Sequence, residues 1–499
     1  MIGSENLLAW IFIVLLGLML AFGGVVVNIA AKRRRQRSAL PIDPIYLERH
    51  IQNNRFFAYA TIGGSLTSIS AVFYFFLLNT NVFGYLLFVS IVTIPVGAVV
   101  AKTIQLKALQ RCLNNETVKN ACSVGTLAGV LNAVTGKNVG RIIRIISICM
   151  LSAFLWMEIK IVSMLLTTIM APDHMAPVLT AIVAAIITFL LASYVFRFGM
   201  TGIVVSDFLY WPGIILCVLL LMAILASYTS DFDLLQHARY VMRPNLGIYE
   251  QLAWIINVCF LNLAIVSVRD DHWCRLPAFG VEAGKENKAL KCLPLAAIQT
   301  ATVGALLIFG GFLCSYVYTL NNPDIQNANG IDLLVSVIDS VPLSGTLILF
   351  GGLLAMLSTA NGLIFALHRN ISRVYVPGDS EPDDISAIPV LHALAAAIIV
   401  GVLTFVVLEY LRQIEFYIIF PLVNMPVTLM PGLWSSMYGY RVSARNFLVP
   451  LVAHVVISVI ALFLLDNNRI LLFLSAPLSA LLGIILVLFA GKAEADETG

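Results

Sequence analysis

Long apolar stretches, each bounded by charged or turn-forming residues, follow one another along nearly the whole chain. A helix of about 20 apolar residues is long enough to cross the hydrocarbon core of a bilayer. The pattern therefore predicts an all-α integral membrane protein with about 13 transmembrane helices. The predicted spans cover residues 7–31, 56–78, 82–101, 142–170, 177–195, 202–227, 248–268, 290–318, 343–367, 388–410, 414–440, 447–465 and 471–490.

Basic residues are distributed unevenly between the two sides that these spans define. The links after spans one, three, seven, nine and eleven are rich in Lys and Arg, and they include Arg269 and Arg275. Since cytoplasmic loops carry the excess of Lys and Arg, the pattern predicts an N-terminus outside and a C-terminus in the cytoplasm. The opposite links contain only Arg239, Arg243, Arg412 and Arg469.

The composition narrows the class of protein. Of the 499 residues, 60% are hydrophobic and 11% are charged, and the mean hydropathy is +0.93. A soluble protein needs many more charges on its surface, and a net charge of +3 does not argue for a nucleic-acid partner. The sequence contains no Walker A loop, HExxH motif or CxxC pair, so we expect neither an ATP-driven pump nor an enzyme.

Two predicted helices contain small and hydroxyl residues that a lipid-facing helix does not need. One stretch is 60–71, with adjacent Gly63 and Gly64, and the other is 351–362, with Ser358 and Thr359. Small residues allow two helices to pack closely, whereas an unwound stretch exposes carbonyl groups that can bind a cation or a substrate. Hydroxyl oxygens are hard ligands, which suit sodium. The residues alone leave both interpretations open.

Three ionisable residues are predicted to lie at membrane depth. Glu158 and Lys160 are in the middle of the fourth span, and Asp207 is just inside the sixth. Such residues are costly in lipid and usually face a cavity, a partner or an ion pathway. For Asp207, a position near the membrane interface is the alternative explanation.

Four segments follow in a set order along the chain and carry a family resemblance. They are Gly63 to Ala71 with its Ile-Ser-Ala end, 199–207 with its Ser-Asp end, the Asp-His-Trp-Cys-Arg run 271–275, and 355–361 with its Ser-Thr-Ala-Asn end. In this order and spacing the set resembles the sodium:solute symporter family, which includes proline, sugar, pantothenate and sialic acid transporters. The likeness extends from the second predicted span to the twelfth.

The resemblance implies a LeuT-like core of two inverted five-helix repeats, at 55–227 and 247–441. Residues 1–37 would form an extra N-terminal helix with its basic segment, 446–491 two peripheral helices, and 492–499 a cytoplasmic tail. Family members bind sodium between the first and eighth core helices. Carried onto this chain, the ligands would be the carbonyls of Leu66, Ile69 and Ala355 and the hydroxyls of Ser358 and Thr359, with Asp207 near the inner end of the ion path.

The same resemblance places a solute across the midplane from the sodium. Residues 72–76 replace a polar position of many members with an aromatic run, and Asn361 replaces the usual Asp, so the chain resembles a divergent member. The aromatic run favours a less polar or aromatic-contacted solute over a sugar. The candidate substrate contacts are Ser70, Phe73, Glu158, Lys160, Asn257 and Asn424.

The function implied is sodium-coupled import of a small organic solute by alternating access, with sodium as the coupling ion. We expect a multi-pass protein of the plasma membrane, of the bacterial inner-membrane type, whose partners are the solute and the lipid bilayer. Protein partners are not indicated. Two alternatives stay open: a proton-coupled carrier that uses Asp207 or Glu158, and a solute sensor of the same fold that does not transport.

Overall fold

The computed structural model describes residues 55–66, 83–113, 126–170, 176–228, 244–276, 288–321, 337–338, 340–341, 343–375, 389–411, 415–463 and 468–490. The first predicted span and the second half of the second lie outside these residues. The helices are α1 Arg55–Leu66, α2 Leu87–Leu113, α3 Leu127–Thr135, α4 Lys137–Met170, α5 Ala176–Ser227, α6 Ile248–Val268, α7 Asp270–Arg275, α8 Lys288–Asn321, α9 Ser344–Tyr375, α10 Pro389–Tyr410, α11 Glu415–Met437, α12 Arg445–Phe463 and α13 Arg469–Ala490.

Long apolar helices dominate the described part of the chain, as the hydropathy pattern predicts. Within it, nine helices are long and apolar enough to cross a membrane. Large apolar side chains such as Val92, Leu216 and Ile399 are exposed along these helices. Exposed apolar surface of this extent is stable only against lipid, because lipid, unlike water, does not penalise it.

The helix α5 contains two of the predicted spans. The chain breaks inside it at Gly199, with φ 56° and ψ −152°, a conformation that glycine adopts without a steric penalty. The Tyr194 hydroxyl donates to the carbonyl of Gly202 at 3.0 Å. Eight residues of continuous helix would separate these positions by about 12 Å along the axis, so the chain turns sharply at Gly199. The predicted link at 196–201 is therefore reduced to a break at one residue.

The helix α9 lies at the centre of the described helices. Its most apolar stretch is 89% buried, against 61% or less for the other eight candidate spans. It packs against α1, α4, α5 and α7. By contrast, α12 packs against α11 and α13, and α13 packs against α6, α11 and α12. A helix surrounded by other helices is shielded from lipid, so its polar residues can serve an internal site.

Candidate functional site

The short helix α7 lies inside the protein. The link predicted after the seventh span begins with residues 269–275, but all six residues of α7 are buried, as is Arg269, the extended residue that joins α6 to α7. Arg269 and Arg275 are therefore internal side chains rather than exposed loop charges.

Buried ion pairs surround α7. Arg269 donates from Nε and Nη2 to the two carboxylate oxygens of Asp271, at 2.9 and 2.7 Å. Arg275 Nη1 lies 3.5 Å from Asp271 Oδ2, and Arg275 Nη2 lies 3.6 Å from Asp207 Oδ2. All four side chains have zero exposure. Buried charges persist only when they are paired, so these arginines and aspartates form one interdependent cluster.

The carboxylate of Asp207 joins α5 to α9. The Ser358 hydroxyl donates to Asp207 Oδ1 at 2.6 Å, rather than back to the preceding turn of its own helix. Arg275 Nη2 also donates to the carbonyl of Ser358, at 3.3 Å. From α1, the buried hydroxyl of Thr61 lies near the same carboxylate without a hydrogen bond of normal geometry. Four helices, α1, α5, α7 and α9, therefore meet at Asp207.

Space for the Arg275 guanidinium is provided by a glycine on α9. A Cβ built at Gly362 would lie 2.7 Å from Arg275 Cζ and closer still to both terminal nitrogens. Any larger residue at this position would displace the guanidinium group. The glycine one helical turn after Ser358 is thus explained by the arginine that it accommodates.

The other end of α7 is held by a second set of bonds. Asp270 accepts hydrogen bonds from the backbone nitrogen of Leu127, at the start of α3, and from Asn370 Nδ2 at 3.0 Å. A carboxylate at a helix N-terminus satisfies a free N–H group and interacts favourably with the helix dipole. On the α6 side, Trp273 Nε1 donates to the carbonyl of Ser267 at 3.0 Å. These bonds connect α7 to α3, α6 and α9.

The structure describes the three predicted sodium ligands that belong to α9. Ala355, Ser358 and Thr359 are all fully buried there. Leu66 is the last described residue of α1, and Ile69 lies outside the described residues, as do Ser70 and Phe73 of the predicted substrate contacts.

The oxygens of Asp207 on α5 and of Ser358 on α9 fit a small hard cation. Asp207 Oδ2 is buried and accepts no hydrogen bond from the described residues. Ser358 uses its proton on Asp207, which leaves the lone pairs of its hydroxyl oxygen available to an ion. Carboxylate, hydroxyl and carbonyl oxygens are the ligands that such cations prefer. The residues present are therefore compatible with sodium.

The remaining predicted substrate contacts are all buried, on three different helices. Glu158 and Lys160 lie on α4, Asn257 on α6 and Asn424 on α11. The Lys160 ammonium lies 5.4 Å from the ring centroid of Trp156. Asn424 Nδ2 donates back to the carbonyl of Phe420 at 2.8 Å. Their burial agrees with an internal role, and their assignment to a solute stays a prediction.

Sequence reasoning missed the contacts of Arg275 and Thr61 with Asp207. Arg275 was within one of the motifs that carry the family resemblance, and Thr61 was within the small-residue stretch of the second span. The motif and the small-residue stretch single out these residues, but neither pattern indicates which carboxylate lies near them. The pairing depends on how α1, α5, α7 and α9 pack, which no local pattern contains.

Comparison with known proteins supports the fold without a family assignment. No family model matches the chain, and no curated protein matches its sequence. A substrate-bound, outward-open Na⁺-coupled sialic acid symporter aligns over 99% of both chains, with 13% identity and a TM-score of 0.65. The structure of MhsT in complex with L-phenylalanine aligns over 88% of this chain and 98% of its own, with 13% identity and a TM-score of 0.51.

These similarities confirm the predicted fold class. The chain is an all-α, multi-pass membrane protein with the LeuT-like fold, and the expected likeness to sodium symporters holds at the level of that fold. A Na⁺-coupled symporter is among the proteins that share this fold. At 13% identity, substrate and coupling ion do not transfer with the fold.

Proposed function

We propose that this protein is a secondary transporter that imports a small organic solute together with sodium by alternating access. The observation that carries the proposal is the oxygen cluster of Asp207 and Ser358, buried where α1, α5 and α9 meet. The fold, shared with a Na⁺-coupled symporter, supports the same conclusion. Ionisable residues inside a membrane protein usually pair with one another and mark an ion or substrate pathway.

The proposed ion site uses residues of both α1 and α9. Ser358 and Thr359 would contribute hydroxyls, Ala355, Leu66 and Ile69 would contribute carbonyls, and Asp207 would hold Ser358 in place. A bound sodium ion would supply a positive charge that the buried carboxylate attracts. Because Ser358 is already oriented by Asp207, little side-chain ordering remains when an ion binds, which favours affinity.

The solute would bind across the midplane, near Ser70, Phe73, Glu158, Lys160, Asn257 and Asn424. The aromatic run at 72–76 favours a solute with apolar or aromatic character. Coupling requires only that sodium and solute favour the same state of the protein, each through its own difference in affinity between states. The proposed repeats, 55–227 and 247–441, would move against each other around this site.

Residues 1–37, 446–491 and 492–499 would lie outside the repeats as an extra helix, two peripheral helices and a tail. We further propose a plasma membrane location of the bacterial inner-membrane type, with the N-terminus outside and the C-terminus in the cytoplasm. The charge pattern supports this orientation even without Arg269 and Arg275, because Lys32, Lys107 and Arg441 lie in the basic links.

Sodium-dependent thermal stabilisation of the purified full-length protein tests the proposal. A ligand that binds only the folded state stabilises it in proportion to the logarithm of its concentration. Sodium chloride should raise the Tm above that in equal potassium or choline chloride. Ser358→Ala and Thr359→Ala should remove most of this rise, whereas Ser475→Ala, a buried serine on α13 bonded to its own helix, should retain it.

Uptake into proteoliposomes then separates the alternatives. Solute accumulation driven by an inward sodium gradient supports the symporter, and accumulation driven by a proton gradient alone supports a proton-coupled carrier. The buried carboxylates of Asp207 and Glu158 favour that carrier as the second candidate. Absence of any sodium effect on the Tm of the wild-type protein would refute the sodium assignment.

A further inference from the structure

The guanidinium group of Arg275 occupies the vicinity of the proposed sodium site. Its Nη2 lies 3.6 Å from Asp207 Oδ2 and 3.3 Å from the carbonyl of Ser358, the residue whose hydroxyl would bind the ion. Its Nη1 donates to the carbonyl of Asp271 at 3.1 Å. A fixed positive charge therefore lies beside the carboxylate that the proposed cation needs.

The charges of the four ion-paired side chains are already balanced. Asp207 and Asp271 contribute two negative charges, and Arg269 and Arg275 contribute two positive charges, all with zero exposure. The third carboxylate of α7, that of Asp270, is bonded to Leu127 and Asn370. An additional cation beside Ser358 would add an uncompensated charge to a buried, weakly screened environment. Like charges that approach one carboxylate each weaken the binding of the other.

The structure also allows Arg275 to move away from Asp207. Its guanidinium contacts a second carboxylate, Asp271, at 3.5 Å, so a shift toward that group retains an ion pair. The guanidinium is the flexible end of a long side chain, so it can turn toward Asp271 while the backbone of α7 stays in place.

We propose that Arg275 is an internal competitor of the coupling cation and sets its affinity. The guanidinium pairs with Asp207 when the ion is absent and withdraws toward Asp271 when the ion binds. This inference rests on the proposed sodium site, and it adds a residue from α7 that the predicted ligand set does not include. By linkage, an ion that displaces Arg275 also alters the contacts of α7 with its neighbours, which connects ion binding to that helix.

Sodium titrations of the Tm, supported by equilibrium binding of radioactive sodium, test the inference without a transport assay. Arg275→Gln removes the competing charge and should tighten the apparent sodium Kd at least about tenfold. Arg275→Lys retains a positive charge and should tighten sodium binding less than Arg275→Gln does. The tightening should require the carboxylate, so Arg275→Gln should have no such effect in an Asp207→Asn background.

A second perturbation displaces the guanidinium without removing any charge. Gly362→Ala places a methyl group against Arg275 and should also tighten sodium binding. Its matched control is Gly345→Ala at the start of the same helix, whose new Cβ would lie 2.9 Å from Ile338 Cγ2 and more than three helical turns before Ser358. This control should leave the sodium affinity unchanged.

The outcomes separate this inference from the proposed function. Unchanged or weaker sodium affinity in folded Arg275→Gln protein overturns the inference, and if that variant does not fold, unchanged affinity in Gly362→Ala overturns it. A wild-type protein that ignores sodium while Arg275→Gln or Gly362→Ala responds contradicts the sodium-coupled function but supports the competing role of Arg275. No response in any variant refutes both.

Discussion

The bidentate pair between Arg269 and Asp271 makes a quantitative prediction about stability. The substitution Asp271→Asn retains the size of the side chain and removes its charge. Both guanidinium groups that depend on this carboxylate, those of Arg269 and Arg275, then lose a counter-charge in a site with zero exposure. Removing one partner of a buried ion pair costs about 3–5 kcal/mol, mostly because the remaining charge stays buried.

The geometry places Asp271→Asn within that range rather than below it. Two hydrogen bonds of 2.9 and 2.7 Å join Asp271 to Arg269, and a third charged group lies at 3.5 Å. Asparagine can still accept from one guanidinium nitrogen through its single carbonyl oxygen. We therefore expect a loss of about 3–5 kcal/mol in the free energy of unfolding.

Reversible unfolding of the purified protein in mixed detergent micelles, followed by circular dichroism, measures this loss. Glu250→Gln is the matched control, since it makes the same chemical change at an exposed bond to the Gly247 nitrogen and should cost much less. In an Arg269→Met background, Asp271→Asn should cost less than in the wild type, because one stranded cation is gone. If Asp271→Asn costs no more than Glu250→Gln, the ion-pair argument fails.

Two further predictions concern helix packing. Gly97→Ala on α2 puts a Cβ 2.7 Å from the backbone carbonyl carbon of Asn262 on α6. We expect this substitution to lower the free energy of unfolding by about 1–3 kcal/mol in the same micelle assay. An unchanged free energy of unfolding would mean that α2 and α6 separate freely. Trp156 Nε1 on α4 donates to Thr404 Oγ1 on α10 at 3.2 Å. A double-mutant cycle of Trp156→Phe and Thr404→Val should therefore give a coupling energy of about 0.6 kcal/mol. Zero coupling would mean that this hydrogen bond does not stabilise the packing of the two helices.

Local patterns were enough to predict most of the helices. The apolar stretches are long, and a lipid-exposed backbone must satisfy its hydrogen bonds within the segment, so hydropathy alone indicates helices. The single-residue break in α5 was harder to predict, because the sequence does not show which glycine adopts a positive φ inside a helix, as Gly199 does. The helix α7 was missed for a related reason: four of its six residues are Asp, His or Arg, a composition typical of a polar link.

Sequence by itself determined that this chain is a polytopic helical membrane protein, and it marked Asp207, Ser358 and Thr359 as residues of interest. It could do so because hydropathy and the cost of polar groups in lipid act residue by residue. Only the tertiary structure decided that Ser358 bonds to Asp207 and that Arg275 approaches both. These residues come from helices far apart in the chain, and their distances depend on how whole helices pack, which no local pattern encodes.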